Sequence, residues 1–354
     1  MKKHVTISAA LVALVIVVVL GFSKEDGYGS YKPTPMPLPV PEGWPKPQAA
    51  IFKNNPPTKE GFLLGKKLFY DASLSKDGFT SCASCHQPFA AFSTYDHDLS
   101  HGANNRFTTR NAPALINLAW MQQYHWDGGV LNLEMQPLNP LTSPTEMDET
   151  LENVLLKLRS NDEYKPYFKA AFGDAGISSS RMLKSIAQFT GSLVSANSKY
   201  DRVQKGLDSF AVYEQKGYQL YKAHCSTCHV EPLFTDNSFR NNGLKQGKLN
   251  DSGRQSVTQL DKDAYLFKVP TLRNVQVSLP YMHDGRVRYL SDVINHYTNG
   301  IDSSFAPLDP LLKKKIVLSE KQKKELVYFL YTLTDTSFTK NKAFLPEENV
   351  VFRH

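Results

Sequence analysis

Two five-residue runs have the spacing best suited to chemistry: Cys82-Ala83-Ser84-Cys85-His86 and Cys225-Ser226-Thr227-Cys228-His229. Both read C-x-x-C-H, the signature of covalent c-type haem attachment. Thiols three positions apart can add across the two vinyl groups of one porphyrin. The adjacent histidine then falls beneath the iron and supplies an imidazole nitrogen. The chain holds 4 cysteines and 10 histidines in 354 residues, so chance would produce this spacing only about once in a thousand such chains. Here it occurs twice and uses every cysteine. A four-thiolate zinc site would need the two pairs together and would leave the histidines without a role. A redox dithiol belongs in a strand-helix context that is missing, and four cysteines are too few for a disulfide scaffold of this size. The residues therefore point to two covalently bound haem c groups.

The segments that must position these motifs begin with an exported leader. Residues 1-23 run from Lys2-Lys3 through an apolar stretch, Val5 to Phe22, to polar Ser23, the order of a secretory signal. The stretch is about as long as the shortest membrane span, so it reads as a signal peptide or as a retained anchor. No cysteine follows it to carry a lipid. Export fits haem c, which is attached outside the cytoplasmic membrane, and places the protein in the periplasm, soluble or tethered. The formal charge is +7. The haem propionates would offset much of it and remove the motive for binding nucleic acid.

Residues 24-57 are proline-rich, with Pro33, Pro35, Pro37, Pro39 and Pro41 alternating. That favours an extended tether or strap over helix or strand. Helical periodicity starts near Thr58 and returns at 149-158, 180-196, 211-221, 290-297 and 319-333, with Ser319 placed to cap the last. Strand-like alternation is scarce. A weak repeat is more telling: a helix with Gly65, Leu68 and Phe69 precedes Cys82, and one with Gly217, Leu220 and Tyr221 precedes Cys225. The expected fold is mostly α, with two cytochrome c-like haem domains at 58-205 and 206-340, an interdomain site and a tail at 341-354.

Two such haems suit either an electron-transfer module with both irons fully ligated or an enzyme with one iron left open, so the second-side ligands decide. Beyond His229 the chain offers one methionine, Met282, and the histidines His283, His296 and His354.

From about Pro37 to Thr334 the sequence resembles the bacterial diheme cytochrome c peroxidase and MauG family. The likeness is carried by Leu64-Gly65-Lys66-Lys67-Leu68-Phe69-Tyr70-Asp71, Ser81 to His86, Arg110-Asn111-Ala112-Pro113, Trp126-Asp127-Gly128, Val269-Pro270-Thr271-Leu272-Arg273-Asn274 and Tyr281-Met282-His283-Asp284-Gly285. The resemblance implies an enzyme in which the N-terminal haem reacts with peroxide and the C-terminal haem relays electrons. It implies that Trp126 couples the haems, a position otherwise read as a core tryptophan. It also implies Gln136, Pro140 and Glu146 on the peroxide side. Breaking the O–O bond needs a proton moved from the inner to the outer oxygen, which a carboxylate in an apolar pocket can do. Glu146 is the expected acid-base, with Glu134 and Glu149 as neighbours that could be mistaken for it. Gln136 would hydrogen-bond peroxide or water, and Pro140 would leave the open face unobstructed. A calcium ion is implied between the domains, on Asn111 with the carbonyls of Ser278 and Pro280.

Family peroxidases commonly place a methionine where this chain has Tyr297, and the MauG branch places a tyrosine there. Tyr297 is the expected sixth ligand of the second haem, with Met282 as the alternative and His296 or no ligand behind it. His97 and His101 fall off the family's capping position, which lies nearer Ala103, so the first haem is expected to be open. The implied function is reduction of hydrogen peroxide to water with electrons from a small cytochrome c or cupredoxin. A MauG-like oxidase acting through high-valent iron on a protein or organic substrate is the second reading, and a non-catalytic diheme electron carrier the third. Homodimerisation is implied by the resemblance alone. The lysines at 313, 314, 315, 321, 323 and 324 read first as solvated surface and second as a donor-docking face.

Overall fold

The computed structural model describes residues 31-48, 51-95, 97-247, 249-302, 304 and 307-346. The leader at 1-23, the start of the proline-rich segment and the end of the tail lie outside the described residues. Pro33–His354 form a single compact unit. Its first half contains α1 (Lys59–Tyr70), α2 (Cys82–Cys85), α3 (Leu138–Thr142), α4 (Leu151–Ser160), α5 (Tyr164–Phe172) and α6 (Ser179–Gly191). The second half contains α7 (Lys199–Gln204), α8 (Val212–His224), α9 (Gln255–Thr258), α10 (Leu290–Asn295), α11 (Glu320–Tyr331) and α12 (Thr336–Thr339). One antiparallel pair, β1 (Phe239–Arg240) and β2 (Phe267–Lys268), is the whole sheet content among the described residues. No helix among them is long and apolar enough to cross a membrane.

The repeat around Gly65 and Gly217 has a packing cause. A Cβ on Gly65 would sit 1.9 Å from the Ser185 carbonyl oxygen of α6, and one on Gly217 would sit 2.0 Å from the Glu325 carbonyl oxygen of α11. Each glycine lets one helix cross another at backbone contact. In both halves the crossing helix is the one that leads into a C-x-x-C-H motif. Leu64, Leu68 and Phe69 of α1 are buried on this contact side, and Tyr221 and Phe329 occupy the corresponding core of the second half. The Tyr221 hydroxyl also donates to the His229 carbonyl, tying α8 to the motif that follows it.

Caps set where the helices begin. The Thr58 hydroxyl accepts from the Gly61 N–H at 3.0 Å, and Ser319 and Gln322 form a reciprocal capping box on α11. The periodicity through Ala196 overreaches: α6 stops at Gly191. The Ser192 hydroxyl bonds back to the Gln188 carbonyl, and Asn117 Oδ1 captures the Ser195 N–H at 2.9 Å, drawing the chain out of the helix. Helix α5 escapes a periodicity reading because it contains Pro166. That residue lies in the first turn, where the lost N–H costs nothing.

The proline-rich segment is laid on the first half as a strap. Met36 N donates to Pro57 O at 2.9 Å, Gln48 N donates to Ala119 O at 2.9 Å, and Trp120 Nε1 donates to Pro45 O at 2.7 Å. Trp44 meets Trp120 edge to face and stacks on the guanidinium of Arg273. Arg273 is 0% exposed and forms a double hydrogen bond to Asp201, at 2.9 and 2.8 Å. A single buried cation thus joins the strap, α7 and the Val269–Asn274 segment.

Gly217→Val is expected to destabilise the holoprotein by the upper part of roughly 1–3 kcal/mol, the cost of overpacking a closed contact. Thermal unfolding reads this, and an unchanged Tm would contradict the close crossing.

Candidate haem sites and the cavity they share

Each C-x-x-C-H run closes a turn whose histidine is fixed from behind. In the first, His86 N donates to Cys82 O at 2.9 Å, and His86 Nδ1 lies 2.8 Å from the Phe92 carbonyl. A carbonyl only accepts, so Nδ1 carries the proton and Nε2 keeps a lone pair. Ala91 and Phe92 both take left-handed φ, 56° and 59°, which folds the loop back under the ring. The second site repeats the device: His229 Nδ1 lies 3.2 Å from Phe234 O and 3.1 Å from Pro270 O, and Phe234 has φ 55°. Burial pushes the His86 imidazole down to about 4, and backbone hydrogen bonding opposes this only in part. Burial lowers His229 in the same way. Both rings are therefore neutral, the form that can ligate iron.

The four thiols are unpaired. Burial raises Cys82 and Cys225 to about 12 and Cys85 to about 11. Among the described residues no cluster of three or more His, Cys, Asp or Glu side chains could hold a metal ion. A continuous cavity of about 1110 Å³ is instead lined by His86 and Cys85 of one motif and by Cys225, Cys228 and His229 of the other. It exceeds the roughly 300–1,000 Å³ usual for one drug-sized ligand. Its size, the thiols of Cys85, Cys225 and Cys228 on its wall and two neutral imidazoles fit two haems.

Gln136, Pro140 and Glu146 line this cavity together with His86. Helix α3 and the turn after it place them: Met147 N donates to Pro140 O and Glu146 N to Ser143 O, each at 3.0 Å. Ala103 N donates to the Glu146 carbonyl at 2.5 Å. A Cβ on Gly102 would lie 2.2 Å from Thr145 O, so only glycine lets that loop come so close. Burial raises the Glu146 carboxyl, with a hydrogen bond from Ser143 opposing. Glu149 behaves differently. Burial raises it most, but its ion pair with Lys157 and hydrogen bonds from the Thr150 N–H and Asn153 together hold its carboxyl below the usual range. Neither Glu134 nor Glu149 is among the residues lining the cavity.

Trp126 also lines the cavity, where the two halves meet. Its indole Nε1 donates to Asn111 O at 2.8 Å, and its own carbonyl accepts from Lys268 N of β2 at 2.7 Å. Asn111 faces the other half as well. Its Nδ2 donates to Pro280 O at 2.7 Å, while its Oδ1 is buried without a partner. Ser278 and Pro280 line the cavity beside it. An orphaned amide oxygen next to main-chain carbonyls is an oxygen set of the kind calcium takes.

On the His229 side, α10 runs into a π-turn, His296–Gly300, which brings Tyr297 onto the cavity wall with Cys225 and Cys228. Burial raises the phenol, a hydrogen bond with Asn242 opposes this, and the two thiols add to the rise. Met282, with φ 71°, lines the wall too, its sulfur 3.6 Å from Asn242 Nδ2. His296 is not among the wall residues, and its Nε2 lies 3.0 Å from the Asn242 carbonyl. His97 and His101 are likewise absent from the wall. Their rings meet each other at 4.6 Å, and His101 Nδ1 bonds Asn105.

Sequence reading passed over several wall residues. Arg110 is gripped by Asp127 and Asp251, and Lys268 Nζ donates to Gln123 O at 3.0 Å. Arg110, Asp127 and Lys268 lie in or beside the motifs named above and could have been singled out there. His125, beside Trp126 and 3.4 Å from the Gln136 amide, could have been singled out in the same way, whereas Asp251 has no local signal. Of the lysine run, Lys323 is not solvated surface: it bonds Asn295 and Glu320.

The fold and the cavity define a mostly helical chain built around two c-type haem attachment sites. Residues 59–209 match the family model described as di-haem cytochrome c peroxidase. The methylamine utilization protein MauG of Methylorubrum extorquens is 37% identical over 302 residues, 83% of this chain and 82% of that protein. The cytochrome c551 peroxidase of Nitrosomonas europaea is 35% identical over 247 residues, 65% of this chain and 70% of that one. A solved MauG-like protein associated with microbial copper homeostasis superposes with a TM-score of 0.78 at 32% identity, covering 86% of this chain and 97% of that one. The chain belongs to the di-haem cytochrome c peroxidase and MauG family.

A pyridine haemochrome assay is expected to find two haems c per chain, and one when Cys225 and Cys228 are both replaced by alanine. An unchanged haem content in that variant would contradict the assignment of the second site.

Proposed function

We propose that this chain is a periplasmic peroxidase that reduces hydrogen peroxide to water beside His86, with electrons taken one at a time from a small cytochrome c or cupredoxin beside His229. The observation that carries the reading is the chemical difference between the two ends of the cavity. The His86 end has a half-buried carboxyl, an amide and a proline, Glu146, Gln136 and Pro140. The His229 end has two candidate donors, Tyr297 and Met282, both within reach of Asn242. One end is suited to holding and protonating a small oxidant, the other to closing a metal. The bound haems would supply the redox chemistry, held by Cys82, Cys85, His86, Cys225, Cys228 and His229.

On the His86 side the protein's part is proton transfer. Glu146, whose carboxyl burial raises, is the group that can take a proton from the inner oxygen of peroxide and return it to the outer one. Gln136 orients the peroxide, and Pro140 presents a wall without a donor. Trp126, bonded to both halves, is placed to couple the haems. Asn111 with the carbonyls of Ser278 and Pro280 would hold a calcium ion across that same junction. Leu312, Ile316 and Leu318 line the cavity while Lys313, Lys314 and Lys315 between them are exposed, so a cationic face covers the second haem's wall. That arrangement suits an electron donor with an acidic surface.

A second reading, a MauG-like oxidase acting on a protein or organic substrate, is favoured by Tyr297. An anionic oxygen donor stabilises ferric over ferrous iron, so it would lower the second haem's potential relative to a thioether. A purely electron-carrying role would leave Glu146, on the cavity wall, without a task.

Stopped-flow mixing with peroxide separates the readings. A fast spectral change only after one-electron reduction supports the peroxidase; the same change in the unreduced protein supports the oxidase. No response in either state contradicts both. Glu146→Gln should slow the response by about 10²–10⁴-fold while both haems stay bound, and an unchanged rate would remove Glu146 from the proton path.

A further inference from the structure

We propose that His125 is a second proton-handling group of the peroxide pocket, acting as the base that takes the first proton while Glu146 serves as the acid. The inference rests on the peroxidase reading above and names a residue of the same pocket. Three observations place it there. His125 lines the shared cavity with Gln136, Glu146 and His86. The hydrogen-bond partner of its ring is the Gln136 amide, whose Nε2 donates to His125 Nε2 at 3.4 Å. The backbone at His125 is left-handed, φ 66°, in a loop closed by Tyr124 N donating to Val130 O at 2.8 Å. A non-glycine residue is uncommon in that conformation. Here it forms the turn that also presents Trp126.

The chemistry of the pocket needs two groups. As the O–O bond breaks, its electron pair leaves with the outer oxygen. That oxygen departs as water only if it gains the proton first carried by the inner one, and both electrons of the reduction come from the donor protein. One carboxyl can shuttle that proton by swinging between the oxygens. A fixed base on one side and a fixed acid on the other do it without movement. The charged groups facing His125 keep its ring in the neutral form, the form in which it can accept a proton. Lys268 of β2 and Arg110 of the 108–112 loop both act against a proton on the ring, with burial the largest effect. Asp127, on its own turn, opposes them. The imidazole stays neutral and able to accept, whereas burial keeps Glu146 protonated to higher pH, with a proton available to give. A 3.4 Å bond from Gln136 is long and easily given up to an entering peroxide.

Cyanide binding tests this without turnover, since hydrogen cyanide must lose a proton to bind ferric iron. In the ferric holoprotein between pH 5 and 9, His125→Phe and His125→Gln are both expected to slow cyanide association by about 10²-fold and to remove one step from its pH profile. Both should retain two haems and the resting optical spectrum. His125→Gln keeps a hydrogen-bonding partner for Gln136 but cannot take the proton, so a wild-type rate and profile in that variant would overturn the proposal. A resting spectrum that turns from low-spin to high-spin in His125→Phe would also overturn it, by making His125 an iron ligand. Absence of any peroxide response in the unsubstituted protein would instead defeat the peroxidase reading, and the cyanide comparison would still judge His125.

Discussion

Two imidazoles must each offer an unprotonated nitrogen to one cavity, and the rest of the structure is arranged around that constraint. In both C-x-x-C-H turns a main-chain carbonyl claims Nδ1: Phe92 for His86, Phe234 with Pro270 for His229. The bond settles the tautomer and the ring's direction before any metal arrives. Burial adds to it by disfavouring the imidazolium. The left-handed residues at Ala91, Phe92 and Phe234 are what the backbone accepts in return.

The helices around these turns exist in matched pairs. α1 crosses α6 at Gly65, and α8 crosses α11 at Gly217, each without room for a Cβ. This brings the two motifs into one fold with the same local geometry but leaves the opposite walls free to differ. They do differ. The first wall is built from α3 and the loop that Gly102 allows against it, and carries Glu146. The second is built from the π-turn after α10 and carries Tyr297. Where the halves join, Trp126, Asn111, Lys268 and the Arg110–Asp251 ion pair cross from one to the other. Function on this account comes from like scaffolds with unlike walls.

What could be read in the sequence was whatever is written locally. The thiol and histidine spacing, the glycine repeat, the Ser319 cap and most helix positions depend on residues within a turn or two of each other. The cavity's chemistry mostly does not. Arg110 meets Asp251 across 141 positions, and Asn242 reaches both the Met282 sulfur and Tyr297 from a distant segment. The His125 and Gln136 pair is joined by 11 positions of loop with one short turn at Leu133–Met135, not by a continuous helix. Helix α6 ended early because Asn117, far back in the chain, captured the Ser195 backbone. Lys323 looked like surface until α10 supplied Asn295 to hold it. In each case packing between distant segments outweighed the local pattern.

The central claim is that the metal centre beside His86 keeps a free face while the one beside His229 is closed by a protein donor. Low-temperature EPR of the as-isolated ferric holoprotein tests it most directly. The account predicts one high-spin signal and one low-spin signal of equal intensity. Two low-spin signals, with no high-spin component, would contradict it.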